Sequence, residues 1–286
     1  MNVQFWGTRG SVPTPGTSTQ RYGGNTSCAA VHTDQCDALV VLDAGTGICA
    51  LGATLAPELA RVDVLLSHLH MDHILGLGFF AGLFRPGLDV HLWGPSSTTL
   101  LLRARLTRYL SPPLFPVRLR DLPCRLSVHD VPLGTFEIPG LEVTAALVCH
   151  PGPTVGYRLD DGHSTLVYLS DHEPALGARD FPNVARWTSG FALAQGADVL
   201  IHDAQYSDDE YPHHLGWGHS SLSHAAAFAA LAGARRLVGF HHDPWHDDEF
   251  LDRLYEPYAG GPIPVTAARE GDILATTSAA QGAPPS

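Results

Sequence analysis

Short apolar runs separated by turn residues recur along the whole chain, and their lengths and flanks predict strands alternating with helices. Residues 3–6 predict a first strand, and residues 7–16 a Gly/Pro/Thr loop. Further strands are predicted at 27–32, 38–42, 62–67, 90–93, 141–148, 155–159, 164–169, 199–201, 236–240 and 273–275. Helices are predicted over 48–59, 74–84, 221–232 and 247–255, over 96–109 with Ser96 as N-cap, and ending at 191–195. The stretch 112–131 reads as loop-rich. Strands prevail in both halves, each half closes with strand–helix units, and no linker-like stretch divides them. The pattern predicts an α/β protein, with two sheets between helical layers in one domain over residues 1–275. The small, polar residues 276–286 read as a frayed tail.

Composition narrows the chemistry. The 286 residues carry 17 basic against 29 acidic groups, a net charge of −12, and 17 histidines. Every basic residue is arginine. Without lysine there is no Schiff-base or P-loop chemistry. The acidity opposes a grip on nucleic acid built from many phosphate contacts. Cys28, Cys36, Cys49, Cys124 and Cys149 show no CxxC spacing, which fits buried thiols in a reducing compartment. Residues 1–10 do not read as a secretory leader, and no apolar run approaches the ~20 residues of a membrane span. A cytoplasmic protein without a membrane partner is therefore expected.

Histidine is the commonest metal ligand, and one segment concentrates it. His68-Leu69-His70-Met71-Asp72-His73 directly follows the apolar run 62–66. In an extended loop His68 and His70 point the same way and can grip one ion. Asp72 and His73, past the bend, can reach a second. Imidazole with carboxylate suits zinc, manganese or iron.

This His-x-His-x-Asp-His pattern resembles the signature of the metallo-β-lactamase superfamily. Other landmarks appear in order. Asp43, after 38–42, resembles the aspartate that supports the metal loop. His150, Asp171 and His241, each after a predicted strand, resemble the third histidine ligand, the bridging carboxylate and the last ligand. The resemblance covers roughly residues 1–256. It implies a four-layer αββα sandwich holding two divalent ions, zinc or manganese with iron as a further option. It places His68, His70 and His150 at the first ion, Asp72, His73 and His241 at the second, and Asp171 between them.

Two more segments resemble the ribonuclease Z and small-molecule phosphodiesterase branch. His202-Asp203-Ala204-Gln205 is similar to its His-Glu-Ala-Thr motif, with Asp203 one methylene shorter than glutamate. Gly218-His219-Ser220-Ser221 is similar to Gly-His-Ser-Thr. The resemblance implies that His219 faces the scissile phosphate and is oriented by Asp203, with Asp43 and His202 in supporting positions. Ribonuclease Z enzymes carry a tRNA-gripping arm, in many inserted between the third ligand and the bridging aspartate. Here only residues 151–170 lie there, reading as strand, hairpin and strand. The expected activity is hydrolysis of a small phosphodiester, cyclic nucleotide or cyclic sugar phosphate included, by hydroxide generated at the ions. Either His219 or Asp72 passes a proton to the leaving oxygen. Alternatives are a ribonuclease Z-like RNA endonuclease, a thioester, lactone or β-lactam hydrolase, and a non-catalytic cofactor-biosynthesis metalloprotein. A homodimer fits arm-free relatives, and tRNA is not an expected partner. Arg9 and Arg158 are candidate phosphate binders, and Trp217 lies in a loop leading to His219. For His172, Glu173, His213, His214 and His242, surface or loop positions compete with roles near the site, and His246 with Asp247 and Asp248 reads as the start of a surface helix.

Overall fold

The computed structural model describes residues 1–33 and 38–277; Cys36 and the tail from 278 lie outside the described residues. Two seven-stranded sheets pack face to face. The first runs β14 (Ile273–Ala275), β1 (Asn2–Gly7), β2 (Cys28–His32), β3 (Ala38–Leu42), β4 (Arg61–Leu65), β5 (Asp89–Pro95), β6 (Arg125–Val131). The second runs β13 (Val265–Ala267), β12 (Leu237–Phe240), β11 (Val199–Asp203), β10 (Thr165–Leu169), β9 (Val155–Asp160), β8 (Leu141–Leu147), β7 (Gly134–Ile138). Helices α1 (Gly47–Gly52), α2 (Met71–Ile74) and α3 (Leu102–Tyr109) accompany the first sheet. Helices α4 (Phe191–Ala194), α5 (Leu222–Ala232) and α6 (Asp248–Tyr255) accompany the second. This is the expected four-layer sandwich.

Strand alternation builds the layers. On β3, Val40 and Leu42 enter the inter-sheet core with Tyr157, Tyr168, Ile201 and Phe240. Leu39 and Val41 face the helices with Ile48, Val64 and Leu106. Because both faces are covered, the central strands read as continuous apolar runs. Strands β3 to β6 are parallel, as are β10 to β13. Asp43, Ser67, Asp171, Asp203 and His241 therefore all emerge at or just beyond the carboxyl ends of parallel strands, where open α/β sheets build their sites.

Several elements differ from the pattern-based expectation. The helix expected over 48–59 stops at Gly52. The one expected over 74–84 is broken into α2 and two 3₁₀ turns, Leu77–Phe79 and Ala81–Phe84. The Gly76 N–H leaves the helical ladder for the Ala44 carbonyl at 3.0 Å, and the approach is so close that a Cβ on Gly76 would lie 2.1 Å from the Gly45 carbonyl oxygen. Gly76→Ala should accordingly cost about 1–3 kcal/mol of stability, read from the urea midpoint. Helix α3 starts at Leu102, with Leu101 and not Ser96 at its N-cap. The loop-rich stretch holds β6, and the pattern predicts neither β7 nor β13. Thr276, expected to fray, is buried, and its hydroxyl bonds Ser164 Oγ at 2.6 Å and the Met1 carbonyl at 2.8 Å. Its backbone N–H also donates to the Met1 carbonyl, so the last turn closes beside β1.

Candidate metal centre

Asp43 organises the pocket from beneath. It ends β3 with φ 59°, an uncommon conformation for a non-glycine residue. Its buried carboxylate accepts the Ser67 N–H at 2.7 Å and the Ser67 and Tyr168 hydroxyls at 2.8 Å each. His73 Nδ1 also donates to it at 2.8 Å, which leaves Nε2 facing the pocket. The glycine loop contributes from the side. Ser11 N–H donates to Asp72 Oδ2 at 2.7 Å. A Cβ on Gly10 would sit 2.3 Å from the His241 ring, so glycine is required for that imidazole to fit.

Two groups of side chains converge above Asp43. One is His68, His70 and His150; the other is Asp72, His73, Asp171 and His241. Within each group the potential ligand atoms lie within 4.8 Å of one another. Asp171 faces both groups. Its Oδ1 is 3.0 Å from His73 Nε2, and its Oδ2 is 3.3 Å from His241 Nε2, 3.7 Å from His68 Nε2 and 3.9 Å from His150 Nε2. The outer nitrogens are committed to protein acceptors: His150 Nδ1 to Gly218 O at 3.0 Å and His241 Nδ1 to Gln205 Oε1 at 3.0 Å. Such bonds fix ring tautomers in metal sites.

The donor set fits divalent cations. His70 Nδ1 and His150 Nε2 face each other at 3.2 Å, as do His73 Nε2 and His241 Nε2 at 3.3 Å. So many imidazole nitrogens and carboxylate oxygens turned toward one another form a donor set that a divalent cation would fill. His68 Nε2 is buried without a hydrogen-bond partner. As protein groups alone, the members shift strongly. Burial lowers the pKa of His68 well below the usual histidine value. Burial would raise Asp171, but His241, His73 and His68 hold it well below the carboxylate range. Burial would lower His241, yet Asp171, Asp72 and Asp203 raise it to about 9.

A second pair stands at the rim. His219 Nδ1 lies 2.7 Å from Asp203 Oδ2. Asp203 Oδ1 accepts the Gln205 N–H at 3.0 Å and the Ser220 N–H at 2.9 Å. The shorter aspartate therefore reaches the histidine. The His219 ring stacks on His241 with centroids 5.0 Å apart.

The Beta-lactamase superfamily domain matches residues 39–242, which contain Asp43, both metal-competent groups, Asp203 and His219. The chain belongs to the beta-lactamase superfamily. Among its relatives, a ribonuclease Z of Myxococcus xanthus (strain DK1622) is 28% identical, covering 95% of this chain and 96% of that protein. The metallo-beta-lactamase fold protein YhfI from Bacillus subtilis has a similar fold, with TM-score 0.69 and 18% identity over 96% of this chain and 98% of its own. A diphosphatase from the PhnP family gives TM-score 0.65 and 18% identity over 96% and 97%.

Not every candidate residue of this superfamily member reaches the pocket. Arg9 is fully buried and donates to the Gly23, Asp243 and His246 carbonyls, so it clamps loops and presents no face to a phosphate. Arg158 lies on the helix-facing side of β9 and donates to the Leu193 and Gln195 carbonyls. His202 also points to the helix layer, 5.0 Å from the Phe228 ring, and supports the centre from behind, its Nε2 2.9 Å from His172 Nδ1 and its Nδ1 2.7 Å from the Asp203 carbonyl. His242 turns away to the Ala268 carbonyl. His246 is buried and pairs with Glu210 at 2.9 Å, not on the surface. Trp217 is 60% exposed beside His214, in the loop ahead of His219.

Glu173 and Gln205 emerge as supports that spacing did not assign. Buried Glu173 accepts the Gly216 and Gly218 N–H groups at 2.9 Å each and the Tyr211 hydroxyl at 3.1 Å. It holds the loop that offers Gly218 O to His150. Removing the acceptor leaves buried donors unpaired, at about 1–3 kcal/mol per group. Glu173→Ala should therefore open residues 211–218 to limited proteolysis roughly tenfold faster, by loosening that loop locally. An unchanged cleavage pattern would count against this clamp.

Proposed function

We propose that the protein is a binuclear metal-dependent phosphodiesterase acting on a small phosphodiester, cyclic or open. The observation that carries this reading is the Asp203–His219 pair set beside Asp171, above two groups of metal-competent side chains. His68, His70 and His150 would hold one ion, Asp72, His73 and His241 the other, with Asp171 shared. When bound, such ions supply Lewis acidity and lower the pKa of water. The donor set, without thiolate, suits zinc, manganese or iron.

The chain's own residues then divide the work. His219 is fixed by Asp203 through Nδ1, which leaves Nε2 to meet a phosphoryl oxygen or pass a proton to the leaving alkoxide. Asp72 is the poorer donor, because its Oδ2 already accepts from Ser11 and faces the His73 and His241 nitrogens. Trp217 at the rim would meet the group esterified to the phosphate. The relatives called ribonuclease Z and PhnP-family diphosphatase support phosphate-ester or anhydride chemistry over lactone or thioester chemistry. A compact substrate is favoured over tRNA because residues 151–170 form only β9, a tight hairpin and β10. The net charge of −12 works the same way.

The test is metal analysis of the purified protein, then turnover of bis-p-nitrophenyl phosphate and of cyclic and linear phosphodiesters in matched zinc, manganese or iron. A lactone and a thioester serve as controls. Hydrolysis of phosphodiesters alone is expected. Turnover of only the lactone or thioester would overturn the reading.

A further inference from the structure

The acidic chain carries one basic segment. Residues 103–125 hold six arginines, at 103, 105, 108, 118, 120 and 125, against the single acid Asp121, a net +5 on a protein of −12. Arg105 is spent locally on Pro95 O and Asp130. Arg103, Arg118 and Arg120 line one groove of about 430 Å³ together with Thr107 and Ser111. Arg120 reaches only its neighbour Asp121, at 3.7 Å, and its side chain is 71% exposed. Arg103 and Arg118 are exposed and have no carboxylate partner among the described residues.

The scaffold beneath is fixed. Leu106 and Leu110, on and just after α3, pack with Phe115 and Leu119 in the outer core, all buried. Ser111 O accepts the Phe115 N–H, and Arg118 O the Asp121 N–H, so the turn after α3 is closed on itself. The Thr107 and Ser111 hydroxyls donate to Arg103 O and Thr107 O. Arg103 Nη2 donates to the Leu126 carbonyl at 3.3 Å, which anchors that side chain at the groove. The remaining guanidinium N–H groups of Arg103, Arg118 and Arg120 are the donors left at the groove, and forked N–H groups match phosphate oxygens. None of these residues belongs to the metal-competent groups.

We propose that this groove is a second binding site, for a compact ligand carrying adjacent phosphates. Three guanidiniums lining one groove, with Asp121 the single acid of the segment beside them, call for more than one negative charge. Screening over about 8 Å at physiological salt lets the local arginines dominate over the distant acidic surface. A long polyanion would run off onto that acidic surface, so a compact oligophosphate is favoured over RNA. Such a phosphate chain could be free or part of a nucleotide.

Calorimetric titration of the metal-loaded protein with inorganic tripolyphosphate tests this, at 150 mM salt with magnesium in excess to prevent stripping of the centre. Saturable one-site binding is expected, weakened at least tenfold in the triple variant Arg103→Gln, Arg118→Gln, Arg120→Gln. That variant should keep bis-p-nitrophenyl phosphate turnover within twofold, so failure of the phosphodiesterase reading is scored separately. A control triple, Arg186→Gln, Arg235→Gln, Arg253→Gln, makes the same charge change elsewhere and should bind as wild type. Adenosine triphosphate in a parallel arm distinguishes a nucleotide from the free phosphate chain. Equal weakening in both triples, unchanged affinity in the groove triple, or no saturable binding would overturn the site. Tighter binding of a 20-residue RNA with a steep salt dependence would overturn the compact-ligand assignment.

Discussion

Asp171→Asn should lower phosphodiester turnover by on the order of a thousandfold, about 4 kcal/mol, and release metal from the centre. Asp171 is 2% exposed and faces His73, His241, His68 and His150 between 3.0 and 3.9 Å. No other carboxylate in the metal-competent groups meets both histidine sets; Asp72 belongs to one only. Asparagine keeps the shape but removes the charge and one oxygen, so packing is preserved while the shared ligand is lost. The readouts are metal per chain by elemental analysis and kcat at saturating metal. The melting temperature of chelated protein serves as a folding control. If the variant keeps a full metal complement and near-wild-type turnover, Asp171 is not the shared ligand.

The ligand groups were legible because chemistry and backbone coincide. His68, His70, Asp72 and His73 fall within six residues after a buried strand, and the other candidates each follow a strand whose end lies at the same sheet edge. What failed depends on contacts remote in sequence. A residue on a strand covered on both faces can point inward or outward, so Arg158 reads as a phosphate binder although it turns to the helix layer. Arg9 lies in the glycine loop that touches Asp72, yet its guanidinium donates to the carbonyls of Gly23, Asp243 and His246, the last two more than 200 residues away along the chain. The role of Glu173 rests on backbone N–H groups 43 and 45 residues downstream, which no local pattern encodes. The helix expected over 74–84 failed for the same reason, since Gly76 is shaped by the backbone of Gly45.

His219→Ala should reduce kcat by about 10²–10⁴-fold while metal content stays at the wild-type level. The second half of that statement is the sharper one. His219 also lies close enough to His150 and Asp171, and to Asp203 and His241, to act as a ligand itself. Loss of an ion on its removal would mark it as a ligand instead of the group facing phosphate. Asp203→Asn should act through His219. The 2.7 Å contact sets the tautomer with hydrogen on Nδ1, and an amide can turn its NH₂ toward that nitrogen and reverse it. A loss of about 10–100-fold is expected for this supporting residue. Because both changes disable one unit, the double variant should be little worse than His219→Ala alone. Multiplying effects would mean that Asp203 contributes independently, through the Gln205 and Ser220 N–H groups it also holds. A substrate with a good leaving group refines the assignment. If His219 supplies the leaving-group proton, p-nitrophenyl esters, which need none, should lose far less than alkyl esters. If it only neutralises phosphoryl oxygens, both should fall together.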